Sequence, residues 1–176
     1  HANRQLTAVG RAVSIYGSAR ISSDSPVYAQ TEQLALQLSN AGYAVLSGGG
    51  PGIMEAANKG AHAGKSPAVG LNIKLPHEQH TNPYQDISLH FQYLAARKMV
   101  FEQHACAFIV FAGGFGTLDE LFGTLTLTQT NIMPRRPIIL VGCRFWQGLH
   151  DWITAQLVTQ KLIGTQDPVN VSSIPS

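Results

Sequence analysis

Charged residues are scarce in this chain, because Asp, Glu, Lys and Arg together make up only 12% of its 176 residues. An average soluble domain has about twice that share. The net charge is +2, and no basic run or alternation of basic and aromatic residues occurs. A nucleic acid is therefore not expected as a partner. A surface with so few charges is typical of a protein that buries part of its surface in an oligomer.

Cysteines and long apolar runs are also rare. Cys106 and Cys143 both lie in short, strand-like apolar stretches, which predicts buried free thiols and favours the cytoplasm. No apolar run approaches the roughly 20 residues of a membrane helix, so no membrane contact is expected. With 44% hydrophobic residues, the chain is predicted to form a single domain over residues 1–176.

The most informative stretch lies near the centre of the chain. Residues 106–111 are all apolar and predict a strand that is buried on both faces. Gly113, Gly114 and Gly116 follow, and an amphipathic helix is expected to begin at Thr117. A glycine loop between a strand and a helix directs backbone N–H groups and the positive end of the helix dipole at one point. This arrangement favours the binding of a phosphate group.

A second interpretation of the same stretch stays open. Thr117 and Glu120 have the T-x-x-E spacing of a capping box, which serves only to satisfy N–H groups at the start of a helix. A cap of this kind does not require three glycines immediately before it. The glycines therefore favour a ligand site.

The rest of the chain alternates between predicted strands and helices. Strands are expected at residues 12–16, 43–46, 68–73, 87–91 and 138–141, with a last short strand after Gly164. Helices are expected at residues 26–41, 51–63, 92–104, 117–130 and 145–160. This alternation predicts an α/β fold with a doubly wound, mostly parallel sheet and helices on both faces.

Two further loops at predicted strand ends are candidates for ligand contacts. The loop after the first strand carries the Ser18 hydroxyl and the Arg20 guanidinium. The loop at residues 47–52 is rich in glycine and repeats the strand–loop–helix design. Because the carboxyl ends of parallel strands lie at one edge of a sheet, these loops favour a nucleotide-like ligand there.

The helix predicted at residues 92–104 carries two adjacent cations, Arg97 and Lys98. The apolar positions Leu94 and Phe101 place one of them on the buried side. A buried cation is unfavourable without an anionic partner, so an inward Arg97 is the favoured functional candidate. A rotated helix with both charges in solvent stays open.

Several motifs with known chemistry are incomplete. The segment Gly50-Pro51-Gly52 is followed by Glu55 where a dinucleotide-binding loop needs glycine or alanine, which disfavours NAD. The segment His77-Glu78-Gln79-His80 is one residue short of the zinc motif H-E-x-x-H. No metal and no cofactor are therefore expected.

Three segments together resemble the LOG ("Lonely Guy") family, whose members were long labelled lysine decarboxylases. They are residues 48–55, the pair at 97–98 and residues 113–120. The resemblance covers about residues 11–165, and its most specific motif is P-G-G-x-G-T-x-x-E. This sequence departs from the motif once, because Ala112 stands where the family has proline.

The resemblance implies a Rossmann-like fold, a homodimer with active sites near the interface, and a phosphoribohydrolase activity. Such an enzyme hydrolyses a nucleoside 5′-monophosphate, either a cytokinin riboside monophosphate or AMP or a similar nucleotide, to the free base and ribose 5-phosphate. The resemblance implies Arg97 and Glu120 as catalytic residues. It implies substrate contacts at Gly113, Gly114, Gly116, Thr117, Lys98, Glu78 and Thr126. Further candidates for substrate contacts are Ser18, Gly49 and Met54, with a place in the core as the alternative for Met54. The pocket for the base is expected to draw on Ser18, Arg20, Met54 and the partner subunit.

The chemistry of the residues agrees with this reaction. Breaking a ribosyl C–N bond builds positive charge on the sugar, and a carboxylate such as Glu120 can stabilise that charge. Two alternatives stay open. One is a carrier of a nucleotide or of the molybdenum cofactor on the same fold, and the other is a dimeric scaffold with an inactive site.

Overall fold

The computed structural model describes residues 2–76, 80–167 and 171–174. Its strands are β1 (Ala12–Tyr16), β2 (Ala44–Ser47), β3 (Ala68–Ile73), β4 (Ile87–Phe91), β5 (Ala105–Val110), β6 (Ile138–Val141) and β7 (Val171–Ile174). Its α-helices are α1 (Ala2–Thr7), α2 (Pro26–Asn40), α3 (Ile53–His62), α4 (Leu94–His104), α5 (Phe115–Gln129) and α6 (Cys143–Trp152). A π-helical segment, Ile153–Val158, continues directly from α6.

All the strands belong to one seven-stranded sheet in the order β4-β3-β2-β1-β5-β6-β7. Every neighbouring pair is parallel. The predicted α/β, doubly wound, Rossmann-like fold is therefore confirmed. The chain builds the sheet outward from β1 to β4 and then returns to place β5 on the other side of β1. The loops that follow β1 and β5 thus flank the switch point, where sheets of this kind bind their ligands.

Helices cover both faces of the sheet, and the alternation of side chains along β1 shows how. Val13 and Ile15 face a core that includes residues of α2 and α3. Ala12 and Tyr16 face the other core, which includes residues of α4, α5 and α6. Because β1 is buried on both sides, its sequence is nearly continuous in apolar residues, as expected for a central parallel strand.

Strands β3 and β4 are parallel neighbours, and the described residues between them, 74–76 and 80–86, form no helix. Two parallel strands need a connection of a dozen or more residues, because the chain must travel back along the whole strand. Residues 74–86 supply that connection, and Asp86 is anchored by donation of the Ala68 backbone N–H to its carboxylate at 2.8 Å. Topology therefore explains the length of this loop.

Two local predictions are wrong. Cys143 opens helix α6 instead of lying in a strand, and both cysteines are half-buried, not fully buried, although their thiols are free. In α4 the buried residues are Val100 and Phe101, whereas Leu94 is 56% exposed, because the first turn of that helix borders the cleft described below. Among the described residues, no helix is long and apolar enough to cross a membrane.

Candidate functional site

A cleft of about 620 Å³ opens at the carboxyl edge of the sheet, at the switch point between β1 and β5. Five segments surround it: the loop after β1, the start of α3, the end of β3 with the residues that follow it, the first turns of α4, and the glycine loop with the start of α5. The cleft is lined by Gly17, Ser18, Ala19, Arg20, Met54, Ile73, Leu75, Leu94, Arg97, Gly114, Phe115, Gly116, Thr117 and Glu120.

The glycine loop after β5 leads directly into α5, which begins at Phe115 with Gly114 as its N-cap. Thr117 is therefore the third residue of the helix, and the capping box suggested by the T-x-x-E spacing is not formed. Gly114 has no side chain that could cap the N–H groups of the first turn, so these groups can bind an anion in the cleft. At Gly113 any Cβ would overlap the Thr117 hydroxyl, which explains why glycine is needed there.

Arg97 and Glu120 form an ion pair inside the cleft. The Arg97 Nη2 atom donates a hydrogen bond to Glu120 Oε1 at 3.2 Å, and the two side chains are only 14% and 15% exposed. The guanidinium also lies over the Phe101 ring, with 6.0 Å between its carbon and the ring centroid. Helices α4 and α5 each contribute one partner, so the pair exists only because these helices meet at the cleft.

Burial changes the acid–base behaviour of Glu120. The loss of solvent raises the pKa of its carboxyl from 4.5 to about 7, since an ionised carboxylate is less stable away from water. Arg97 opposes this change by stabilising the ionised form. A carboxyl with a pKa near neutrality can act as a base or stabilise a developing positive charge, and Glu120 lies about one turn from the uncapped start of α5.

Lys98 lies outside the cleft, although it follows Arg97 in sequence. Its ammonium group pairs with Asp119 Oδ2 at 2.8 Å and donates to the Asp119 backbone carbonyl at 3.2 Å. Successive helical residues point in different directions, so only one of two adjacent cations can face the cleft. A substrate contact by Lys98 stays a prediction.

The second glycine loop, at residues 47–52 after β2, is largely buried and is hydrogen-bonded to residues between β3 and β4. The backbone of Gly49 is fully engaged: its N–H donates to Ser47 Oγ at 3.0 Å, and its carbonyl accepts from Asn82 N–H at 2.8 Å and from Gln85 Nε2 at 3.0 Å. Gly49 does not line the main cleft. Its role as a substrate contact stays a prediction, and its observed role is to hold the loop.

Some of the remaining predicted site residues line the cleft and others do not. Ser18 and Met54 line the cleft, as does Arg20. Thr126 lies on the exposed side of α5, where its hydroxyl donates to the Phe122 carbonyl at 2.7 Å, and it does not reach the cleft. Glu78 lies outside the described residues. Among the residues that are described, no group of three His, Cys, Asp or Glu side chains could hold a metal ion.

Two sets of residues around the site were not predicted from the sequence. The first is an apolar wall made of Ile73, Leu75, Leu94 and Phe115, with the Phe115 ring 91% exposed at the mouth of the cleft. The second is Asn58, fully buried in α3, whose Oδ1 accepts from Ser47 and Asn82 and whose Nδ2 donates to the Val69 carbonyl. An asparagine within an alanine-rich helix was the available signal for the second set.

Comparison with known proteins gives similar chains of similar length. An uncharacterized protein of Archaeoglobus fulgidus is 25% identical over 125 residues, which is 70% of this chain and 81% of that protein. The X-ray structure of the structural genomics target TM1055 has a TM-score of 0.67 at 23% identity and covers 93% of this chain and 91% of its own.

Two molybdenum cofactor proteins have the same fold. The molybdenum cofactor binding protein of Rippkaea orientalis has a TM-score of 0.64 at 22% identity, covering 94% of this chain and 90% of its own. The molybdenum cofactor carrier protein of Chlamydomonas reinhardtii has a TM-score of 0.65 at 19% identity, covering 94% and 90%. At these identities the likeness concerns the fold alone.

The match to a protein family includes most of the residues that line the cleft, but not Gly17, Ser18, Ala19 and Arg20. The model of the family described as "Possible lysine decarboxylase" matches residues 54–175. This range contains Arg97, the glycine loop of residues 113–116 and Glu120. The chain therefore belongs to the family of possible lysine decarboxylases, the same family that its glycine motifs resemble.

Proposed function

We propose that this protein hydrolyses the N-glycosidic bond of a nucleoside 5′-monophosphate and releases the free base and ribose 5-phosphate. The observation that carries this proposal is the Arg97–Glu120 pair, 3.2 Å apart, beside the uncapped first turn of α5. One part of the cleft suits an anion and the adjacent carboxylate suits a developing cation. A nucleoside monophosphate has both charges in the transition state of this reaction.

The phosphate would bind at the start of α5. The backbone N–H groups of Gly116 and Thr117 belong to the first turn of a helix of 15 residues, where the helix dipole favours negative charge. Both residues line the cleft. Glu120 is one turn further along the same helix, so a sugar attached to the phosphate would lie against its carboxylate.

Glu120 would act in its ionised form. Cleavage of the bond between C1′ and the base nitrogen leaves positive charge on the ribose, which the carboxylate stabilises while the water that attacks C1′ approaches. The water oxygen becomes the new hydroxyl at C1′, and the departing base takes up a proton. Arg97 holds the carboxylate in place through their hydrogen bond and keeps more of it ionised at neutral pH.

The base would lie against the apolar wall of the cleft. Ile73, Leu75, Leu94 and Phe115, together with Met54, which also lines the cleft, provide a hydrophobic surface suited to a planar ring. This wall fits adenine as in AMP and also fits the modified adenine of a cytokinin riboside monophosphate.

We propose the cytoplasm as the site of the reaction, because both cysteines are free thiols.

The reaction can be tested by product analysis. The protein is incubated separately with AMP, GMP, CMP, UMP and isopentenyladenosine monophosphate, with adenosine as a control that lacks the phosphate. We expect free base from at least one monophosphate and none from adenosine. Glu120→Gln should lower the rate by roughly 100-fold or more, the scale of a lost acid–base group. An unchanged rate in this variant would refute the assignment.

A second candidate is a carrier of a nucleotide or of the molybdenum cofactor without catalysis. The observation that favours it is the shared fold of the two molybdenum cofactor proteins. A carrier has no need of a carboxylate with a pKa near 7 beside its anion site, which favours the hydrolase. Binding of AMP without release of a free base from any of the monophosphates would support the carrier.

We also propose that the protein forms a homodimer through the exposed faces of α4 and α5. These faces carry Leu94, Met99, Phe115 and Phe122, which are 56%, 55%, 91% and 36% exposed. Large apolar side chains grouped next to a cleft are typical of an interface. Light scattering coupled to size exclusion should give twice the chain mass of 18.9 kDa. A monomer at micromolar concentration would contradict this proposal.

A further inference from the structure

The charged side chains that line the cleft carry a net positive charge. Among the described residues, the cleft contains three charged side chains: Arg20, Arg97 and Glu120. Arg97 and Glu120 are paired with each other at 3.2 Å, so their charges largely cancel when both are ionised. The net positive charge of the cleft is therefore supplied by Arg20.

The Arg20 side chain is available for a ligand. It is exposed, and it makes no hydrogen bond or ion pair with any residue in the part of the chain that the structure describes. Lys98, the other cation near the site, is occupied by Asp119 and faces away from the cleft. Of the cations near the cleft, Arg20 is thus the one without an anionic partner among these residues.

The backbone that carries Arg20 is fixed on several sides. The Arg20 N–H donates to Ser18 Oγ at 3.0 Å, the Ser18 N–H donates to the Ala112 carbonyl, and the Ser18 carbonyl accepts from Ile53 N–H, both at 3.0 Å. At Gly52 a Cβ would collide with the backbone of this same loop. A fixed backbone reduces the entropy lost when the side chain binds, so the guanidinium is well placed to recognise a ligand.

We propose that Arg20 binds the phosphate of the substrate and gives the site its preference for a phosphomonoester over a phosphate-free nucleoside. This inference rests on the proposed function, because it concerns the same cleft. A guanidinium matches phosphate geometry with two parallel hydrogen bonds, and Arg20 lines the same cleft as Gly116 and Thr117 in the first turn of α5. Arg97, in this arrangement, serves Glu120 and not the phosphate.

Direct titration by calorimetry tests the proposal. Ribose 5-phosphate and adenosine are each titrated into the wild-type protein, Arg20→Gln and Arg20→Lys. The matched control is Arg11→Gln, which removes one positive charge just before β1, at the opposite edge of the sheet from Arg20.

We expect Arg20→Gln to weaken the binding of ribose 5-phosphate by about tenfold or more, the scale of one charged hydrogen-bonding group. Arg20→Lys should retain part of the affinity, because it keeps the charge but loses the bidentate geometry. Adenosine affinity should be the same in all variants, and Arg11→Gln should match the wild type with both ligands. A weaker dependence of ribose 5-phosphate binding on salt in Arg20→Gln would further support the role of its charge.

Three results would overturn the proposal. The first is unchanged binding of ribose 5-phosphate by Arg20→Gln. The second is a loss of adenosine affinity in Arg20→Gln as large as its loss of ribose 5-phosphate affinity, which would place Arg20 in the base pocket. The third is no binding of ribose 5-phosphate by the wild type. The proposed hydrolase activity is judged separately. A wild-type protein that binds ribose 5-phosphate through Arg20 but releases no base from any monophosphate would refute the hydrolase and leave the role of Arg20 intact.

Discussion

Replacing Glu120 with glutamine should stabilise the folded protein at neutral and alkaline pH, even though it removes the proposed catalytic group. The reason is the change in pKa of this carboxyl from 4.5 to about 7 on folding, caused mainly by burial. Between these two values the unfolded chain releases the proton while the folded protein keeps it. The folded state then binds more protons, so its stability falls as the pH rises toward 7.

The size of the effect follows from the change in pKa. Each pKa unit corresponds to about 1.4 kcal/mol, so the full change amounts to about 3 kcal/mol, of which about 2 to 3 kcal/mol falls between pH 5 and pH 8. Glutamine resembles the protonated acid and does not titrate. At low pH the wild-type Glu120 is protonated and, like glutamine, has no ionic attraction to Arg97. The change with pH in the difference in unfolding free energy between the two proteins therefore measures the titration of Glu120.

The assay is urea unfolding of the wild type and Glu120→Gln at pH 5 and pH 8. We expect the variant to gain about 2 to 3 kcal/mol of unfolding free energy relative to the wild type on going from pH 5 to pH 8. The control is Glu32→Gln on α2, whose carboxylate pairs with Lys59 at 3.1 Å away from the cleft. It should show no comparable gain. A difference between wild type and Glu120→Gln that is the same at both pH values would refute the reasoning.

Three further outcomes are expected. The kcat/KM for the preferred monophosphate should rise with pH up to about 7, because Glu120 must be ionised to stabilise the charge on the ribose. A flat pH profile of kcat/KM from about pH 5.5 to 8 would contradict this catalytic role of Glu120. Gly113→Ala should lower the melting temperature, since its Cβ would overlap the Thr117 hydroxyl, whereas Gly114→Ala, with open space around its Cβ, should not. Asn58→Ala should destabilise the fold by about 2 kcal/mol, because it leaves the buried hydrogen-bonding groups of Ser47, Asn82 and Val69 without this partner. A loss of unfolding free energy below about 0.5 kcal/mol in urea, the size of an ordinary surface substitution, would contradict the role of this network.

The limits of the sequence are clearest at Thr117 and Glu120. Their spacing is compatible with a capping box and with a catalytic carboxylate, and local sequence does not separate the two. The structure separates them because α5 begins two residues earlier, at Phe115, and because Glu120 meets Arg97 from α4. At Gly49 the position in a glycine loop predicts a ligand contact, which stays a prediction. The structure adds that the backbone N–H and carbonyl of Gly49 are hydrogen-bonded to Ser47, Asn82 and Gln85.

The sequence by itself determined the order of the strands and helices from β1 to β7, the parallel sheet and the glycine loop at the end of β5, whereas helix α1 was not predicted. These features depend on apolar runs, helical periodicity and glycines, which act over a few neighbouring residues. Only the tertiary structure decided which side chains meet in the cleft: that Arg97 faces Glu120, that Lys98 turns to Asp119, and that Arg20 stands without an anionic partner among the described residues. The reason is that the helix orientations and the return of the chain past β1 bring together residues far apart in sequence, and no local pattern records that packing.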